Sequence, residues 1–477
     1  METQEELAAA ATLDTARALQ LAAQNEAAGE LDRAEILLRQ VLGLAPHNPG
    51  ALHLLGIVAF KKGRKREGLD LVRQAIAGEP GNALYYRNVC AMLRGLGHSR
   101  AAVEAGRRAA ALAPNDPQVH HNLSVALYDL ARLDEAIACN ERALALDPNM
   151  PSAHFGLAEA LLLRGEFARG WEEYEWRFRI PSAPALMPKT DKPQWQGETI
   201  DPGTLMLIAD QGFGDVIQFC RYIPWARTRC QRLVLACSAD VAPVVRQIPG
   251  IDMIFGNWKN CPDFTAYAAL SGLPRLHGTR TDTIPGGIPY LHADPALAET
   301  WARRIAGLVP PGFLRVGIVW AGRPTHGNDH NRSLPLPALA PLLAVEGVAF
   351  LALQKGPAHV ELARHYGSAP LINLAAEIAR FDETMAALPA LDLVIAVDTS
   401  VAHLAGAMGR PAWVMLPFAP DWRWLLGRSD TPWYPHLRLF RQEDYRAWDD
   451  VIATVAAALR AEVAARQEGR STVSYGA

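Results

Sequence analysis

Cysteine is scarce. Cys90, Cys139, Cys220, Cys230, Cys237 and Cys261 are the only six in 477 residues, and no two form a Cys-x-x-Cys pair. That excludes a zinc knuckle or dithiol redox motif and leaves buried reduced thiols as the expectation. Long apolar runs are missing too; none approaches the roughly 18 residues of a membrane-spanning helix, so no transmembrane segment is expected. The N-terminus, METQEEL, is acidic where a secretory leader is basic, which points to a cytoplasmic protein. Charge of either sign is nearly balanced at a formal net −3, with no lysine-rich block, and this argues against nucleic acid as a partner. The rest, 50% hydrophobic and 20% charged, is the composition of a globular protein too long for one core.

Repetition is plentiful. Pro46, Pro80, Pro114 and Pro148 recur every 34 residues, each closing a similar phrase (VLGLAPHN, AIAGEPGN, AALAPND, ALALDPN). Ala75, Ala109 and Ala143 lie five residues before their prolines, and Ala34, Ala102 and Ala136 twelve before theirs. This period with small residues at fixed places resembles the tetratricopeptide repeat, in which two helices cross closely at the small positions. Four repeats are expected, about 15–48, 49–82, 83–116 and 117–150, with a partial fifth from Pro151 to Arg177. Such units bury their apolar faces only by stacking, which leaves a groove suited to protein or peptide. Tyr85, Tyr86, Asn88, His120, His121, Asn122 and His154 fall on the first helices that would line it. The solenoid is assigned to 1–179. A proline-rich linker, 180–202, follows with Pro181, Pro184, Pro188, Pro193 and Pro202.

From Thr204 the pattern becomes α/β. Leu205 to Ala209 reads as a buried strand, Asp210-Gln211-Gly212-Phe213-Gly214-Asp215 as a glycine turn, and Val216 to Tyr222 as a helix. A dinucleotide-binding loop would carry a third glycine where Ile217 stands, and the next strand, Leu233 to Cys237, has no acidic residue at its tip; both disfavour a dehydrogenase. Pro310-Pro311-Gly312 separates a first α/β domain, 203–311, from a second, 312–477. The second opens with Leu314 to Trp320 and a long polar loop to Ser333, and loops of that length at a strand's carboxyl end are usually functional. His326, Asp329 and His330 lack the spacing of a metal site, and no metal is expected. Lys355 follows the strand Val348 to Leu353 and is a candidate cation.

The densest signal is Leu391 to Pro417. A buried strand ends at Asp398-Thr399-Ser400, a helix carries Val401, Leu404, Ala405 and Met408 on one face, Gly409 stops it, and Ala412 begins another strand. The turn then lies at the carboxyl edge of a parallel sheet with a helix start facing it, a place suited to an anion. Asp398 and Ser400 are also ordinary helix-capping residues.

Asp398-Thr399-x-x-x-His403-x-Ala405 resembles the signature of heptosyltransferase-like glycosyltransferases, and the loop holding Gly212, Gly214 and Asp215 resembles the glycine–aspartate motif of the same family. The resemblance covers about the last 275 residues. It implies a GT-B fold: two Rossmann-like domains face each other, giving an α solenoid followed by an α/β GT-B fold. It further implies that Asp215 is a general base; that Gly212, Gly214, Arg332, Lys355, Asp398, Thr399, Ser400 and His403 bind the donor; and that no cofactor beyond a nucleotide sugar is used. Arg332 stands where the family usually has lysine. The Asp-x-Asp motif of metal-dependent glycosyltransferases is absent. Bacterial proteins joining these repeats to such a domain are the nearest likeness. The implied activity is metal-independent, inverting sugar transfer to an acceptor hydroxyl, with a protein acceptor suggested by the architecture of O-linked GlcNAc transferases. A scaffold with a degenerate transferase domain is the alternative, and nucleotide-sugar epimerases share the fold. The tryptophan-rich loop Pro417 to Leu426 either stacks a base or braces the domains. The last helix, Asp444 to Gln467, is expected to cross back onto the first α/β domain.

Overall fold

The computed structural model describes residues 15–181, 187–256, 258–261, 263–364 and 371–470. The acidic N-terminal segment and Pro184 of the expected linker lie outside them. The chain forms two compact units, 1–157 and 158–477.

The first unit is a helical solenoid. Its antiparallel pairs are α1 (Thr15–Ala27) with α2 (Leu31–Leu44), α3 (Pro49–Lys61) with α4 (Lys65–Gly78), α5 (Ala83–Gly95) with α6 (Ser99–Leu112), and α7 (Pro117–Tyr128) with α8 (Leu133–Leu146). These bounds follow the 34-residue phrases. Asn48, Asn82 and Asp116 cap the first helices by accepting from the amides of Ala51, Leu84 and Gln118. The small residues expected at the crossings, Ala34, Ala75, Ala102, Ala109, Ala136 and Ala143, are all essentially inaccessible. Between the helices of a pair one residue must turn left-handed. Gly29, Gly63 and Gly97 do so at φ 81°, 85° and 73°, and at the same place in the fourth repeat Ala131 is forced to φ 53°.

The fifth pair, α9 (Pro151–Arg164) and α10 (Phe167–Tyr174), runs into the second unit. That unit holds two parallel sheets. In the first, β1 (Ile200–Ile208), β2 (Cys230–Ala236), β3 (Met253–Phe255) and β4 (Ala266–Ala269) lie in the order β3-β2-β1-β4. The second contains β5 (Leu314–Val319), β6 (Val348–Ala352), β7 (Leu371–Ile372), β8 (Leu393–Val397), β9 (Ala412–Leu416) and β10 (Arg438–Arg441), ordered β10-β9-β8-β5-β6-β7. Every pairing is parallel. Every residue of β6, β8 and β9 is buried, which is why these strands read as unbroken apolar runs rather than alternating ones. Three helices of this unit matter below: α11 (Phe213–Phe219) after β1, α12 (Ser400–Ala407) after β8, and α13 (Trp448–Gln467) after β10. The chain is thus an α solenoid followed by an α/β part. In each sheet the connections diverge to opposite sides beside the first strand, at β1/β4 and β5/β8, and such switch points open a crevice at the carboxyl edge.

Two expectations need correction. Part of the proline-rich segment is docked rather than free: Trp195 is fully buried against Trp225, its amide donates to Tyr267 O of β4 at 2.8 Å, and β1 already begins at Ile200. The last helix, α13, lies on the second sheet, where Val451, Ile452, Val455, Ala456 and Leu459 enter the core built by Val316, Phe350 and Ile395. Its apolar face is satisfied there and has no reason to cross back.

Candidate functional site

The loops after β1 and β8 leave different sheets and meet. Gly212 caps α11, so the helix starts three residues earlier than its apolar spacing suggests, and Asp215 falls in the first turn. Its Oδ2 accepts from the Gly212 amide at 3.0 Å. Asp215 thus uses one oxygen to cap the start of its own helix, and its other oxygen is left for contacts across the crevice. Gly214 faces His403: a Cβ there would stand 2.9 Å from the imidazole Cδ2, so only glycine lets the loops approach this closely.

His403 projects from α12, which starts where β8 ends. The ring is 5% exposed, lies against Trp424 with centroids 5.3 Å apart, and pairs through Nδ1 with Tyr434 Oη at 3.1 Å. Its Nε2 is 3.8 Å from Asp398 Oδ1. Burial, reinforced by the Arg423 charge, pulls the imidazole down to about 3. It is therefore neutral and brings no positive charge to the region. Burial and the nearby Asp421 push Asp398 up, while the charges of Arg332 and Arg423 oppose this. Thr399 is the N-cap of α12, yet its hydroxyl caps nothing; Oγ1 is buried without a hydrogen-bond partner. Ser400 follows, and the first-turn amides of Ser400 and Val401 have no carbonyl behind them in the helix.

Arg332 ends the short helix Asp329–Arg332 in the loop after β5 and is held by Asp329 Oδ1 at 3.4 Å. Its charge reaches both Asp398 and His403. Gly322 leaves room for it, since a Cβ there would lie 2.6 Å from Nη2. Lys355 is not drawn into this cluster: its ammonium donates to the carbonyls of Ala375 (2.6 Å) and Ile378, a structural tie instead of the expected phosphate contact. Asp215, Gly212, Gly214, Asp398, Thr399, Ser400, His403 and Arg332 thus line one region.

Residues missed as site members come from the tryptophan loop. Trp422, Trp424 and Trp433 are at most 2% exposed, and the first and last of them pack with Trp171 of α10, so they brace the unit rather than offer a stacking face. Between them Arg423 spans the crevice: Nη1 donates to both oxygens of Asp421 (2.8 and 2.9 Å), Nε to Gln218 (2.6 Å) and Nη2 to Asp215 Oδ1. An aspartate and an arginine inside an aromatic run, DWRW, was the available signal.

Of the polar residues expected in the repeat groove, Tyr85 is buried and the others are half-buried, and several already hold hydrogen bonds within the solenoid. Asn88 pairs with His53 Nε2 at 2.7 Å, Asn122 receives from Gln118 at 3.0 Å, His120 and His154 meet the carbonyls of Pro114 and Pro148, and Tyr85 is 4% exposed with its hydroxyl on Glu79. His121 is 3.4 Å from the buried Asn140. The Asn88–His53 and His121–Asn140 contacts tie helices together, and Tyr86 lies beneath the Arg108 guanidinium.

The tetratricopeptide repeat family matches residues 25–93, and a second repeat description, TPR repeat, matches 126–165. Protein FlbA of Caulobacter vibrioides is 30% identical over 335 residues, 63% of this chain and 53% of that protein. The chain spans about half the length of this curated relative. A match that long exceeds the helical repeats and therefore extends into the α/β part. Among solved structures, Pseudomonas aeruginosa PilF is 22% identical with a TM-score of 0.32, over 34% of this chain and 74% of that one. A thermophilic repeat protein of Thermus thermophilus is 23% identical with a TM-score of 0.32, over 36% and 93%. No helix among the described residues is long and apolar enough to cross a membrane.

Proposed function

We propose that the second unit is a metal-independent, inverting glycosyltransferase of the GT-B class, acting on a hydroxyl of a protein recruited by the repeats. The observation that carries this reading is the contact of Gly214 with His403, which sets the carboxylate of Asp215 and the helix start at Thr399 on one crevice between two parallel sheets. Asp215 would take the proton of the acceptor hydroxyl while the acceptor oxygen bonds to the anomeric carbon. The bond from that carbon to the phosphate oxygen breaks, and its electron pair leaves with the nucleoside diphosphate. Arg332, the first amides of α12 and the unpaired Thr399 hydroxyl receive that charge. Burial pushes the Asp215 carboxyl up, against the pull of Arg423.

One observation favours the alternative, a repeat scaffold with an inert transferase domain: Asp215 is already paired with Arg423. Asp215→Asn separates the two readings. With a nucleotide sugar that the wild-type chain turns over, the variant should keep binding and lose turnover by at least a hundredfold; undiminished turnover would remove Asp215 from the mechanism. A chain that binds no nucleotide sugar is the scaffold.

A further inference from the structure

Asp215 has a pairing that a base free to act would not need, and its geometry is specific. Arg423 comes from the loop after β9, in the opposite sheet's half of the unit. It is 7% exposed, and its guanidinium lies over Trp422 at 4.1 Å and Phe219 at 5.6 Å. The fork is divided: one edge is closed on both oxygens of Asp421, while Nε and Nη2 point to Gln218 and Asp215, three residues apart on one face of α11. Gln218 is fully buried, so the arginine is registered against that helix and not only attracted to it. A lysine could not make these contacts together, because an ammonium has no planar fork.

We propose that Arg423 is the positioning residue of this site. It pairs with Asp215 and holds that carboxylate aimed across the crevice, while Asp421 shares the same guanidinium. The inference rests on the transferase reading for its purpose, and on the hydrogen bonds alone for its geometry. Other groups face Asp215 as well. Burial raises it most, Asp421 and Asp210 from its own loop raise it further, and the Gly212 amide lowers it. Tyr174 of α10 and His403 of α12 approach from the remaining sides; Tyr174 is pushed up to about 12 by burial and His403 is neutral, so neither brings charge. Arg423 is thus the cation that pairs with Asp215 against the effect of burial, and Asp421 is its chief competitor for the guanidinium.

The test uses the full chain with aspartate carboxyls labelled with carbon-13, the Asp215 signal being identified by its loss in Asp215→Asn. Titration should show the Asp215 midpoint rising by at least about one pH unit in Arg423→Gln, because an adjacent arginine lowers a carboxylate by ~1–3 units. It should fall in Asp421→Asn, where the guanidinium is no longer shared. Arg423→Lys should leave the midpoint within about half a unit of wild type but lower turnover of the nucleotide sugar, since the charge remains and the aim is lost. A purely structural arginine would lower the melting temperature and move neither midpoint. Identical midpoints in wild type and Arg423→Gln overturn the proposal; should that variant not fold, an unchanged or raised midpoint in Asp421→Asn does so. Midpoints that shift as stated in a chain that binds no nucleotide sugar would refute the transferase reading and leave the positioning intact.

Discussion

Replacing Gly214 with alanine adds one methyl at the contact between the two loops. That Cβ would sit 2.9 Å from His403 Cδ2 and 3.6 Å from Cγ and Nε2, so the ring or the helix must retreat by about half an ångström to reach ordinary contact. The ring has nowhere to go: Trp424 covers it, Tyr434 holds Nδ1, and it is 5% exposed. Overpacking of this kind costs about 1–3 kcal/mol. Alanine in place of glycine in a helix returns up to ~1 kcal/mol, so Gly214→Ala should lose about 1 kcal/mol overall. In a His403→Ala background the obstacle is gone and only the gain remains, so the same substitution should become stabilising. Urea unfolding followed by the fluorescence of the buried tryptophans would measure all four proteins. The double-mutant cycle should return a coupling of about 1–3 kcal/mol. If Gly214→Ala has the same effect in both backgrounds, the two loops do not touch and the shared crevice is wrong.

Three further outcomes follow from other parts of the chain. Ala131→Gly should raise the melting temperature of the solenoid, because a left-handed alanine costs about 1 kcal/mol that glycine does not; calorimetry showing no gain would contradict the strain at that turn. Thr399→Val should leave stability within about 1 kcal/mol, since the hydroxyl it removes has no partner, yet weaken nucleotide-sugar binding about tenfold; unchanged affinity would take Thr399 out of the donor site. Glu35, held down to about 2 by Lys62, Arg39 and Arg64, contributes stability that is complete above its free value of 4.5 and vanishes as pH falls toward 2. In Glu35→Gln the solenoid should lose that slope between pH 4.5 and 2, as thermal melts across the range would show.

The repeats were legible because a solenoid imposes its period on the chain: prolines, crossing alanines and turn glycines each recur at 34, and the helices fall where those marks put them. The strands of the second unit were legible because burial on both faces leaves them apolar throughout, as in LVIAV of β8. Residues whose role depends on a distant partner were not. Lys355 is a candidate cation in sequence and a clamp on two carbonyls in space. The asparagines of the first helices, Asn88 and Asn122, look like a binding face until the preceding repeat, 35 residues away, is seen to take their hydrogen bonds. Arg423 meets Asp215 across 208 residues of chain, and no local pattern encodes that contact.

If the second unit is the transferase proposed above, a nucleotide diphosphate sits at the start of α12 beside Arg332 without a metal. Titration calorimetry of the full chain in EDTA against uridine, guanosine, adenosine, thymidine and cytidine sugar nucleotides tests it most directly. At least one donor should bind, and Thr399→Val and Arg332→Ala should each weaken that donor by about tenfold or more. Binding of none at millimolar concentration, or binding that appears only when a divalent cation is added, would contradict it.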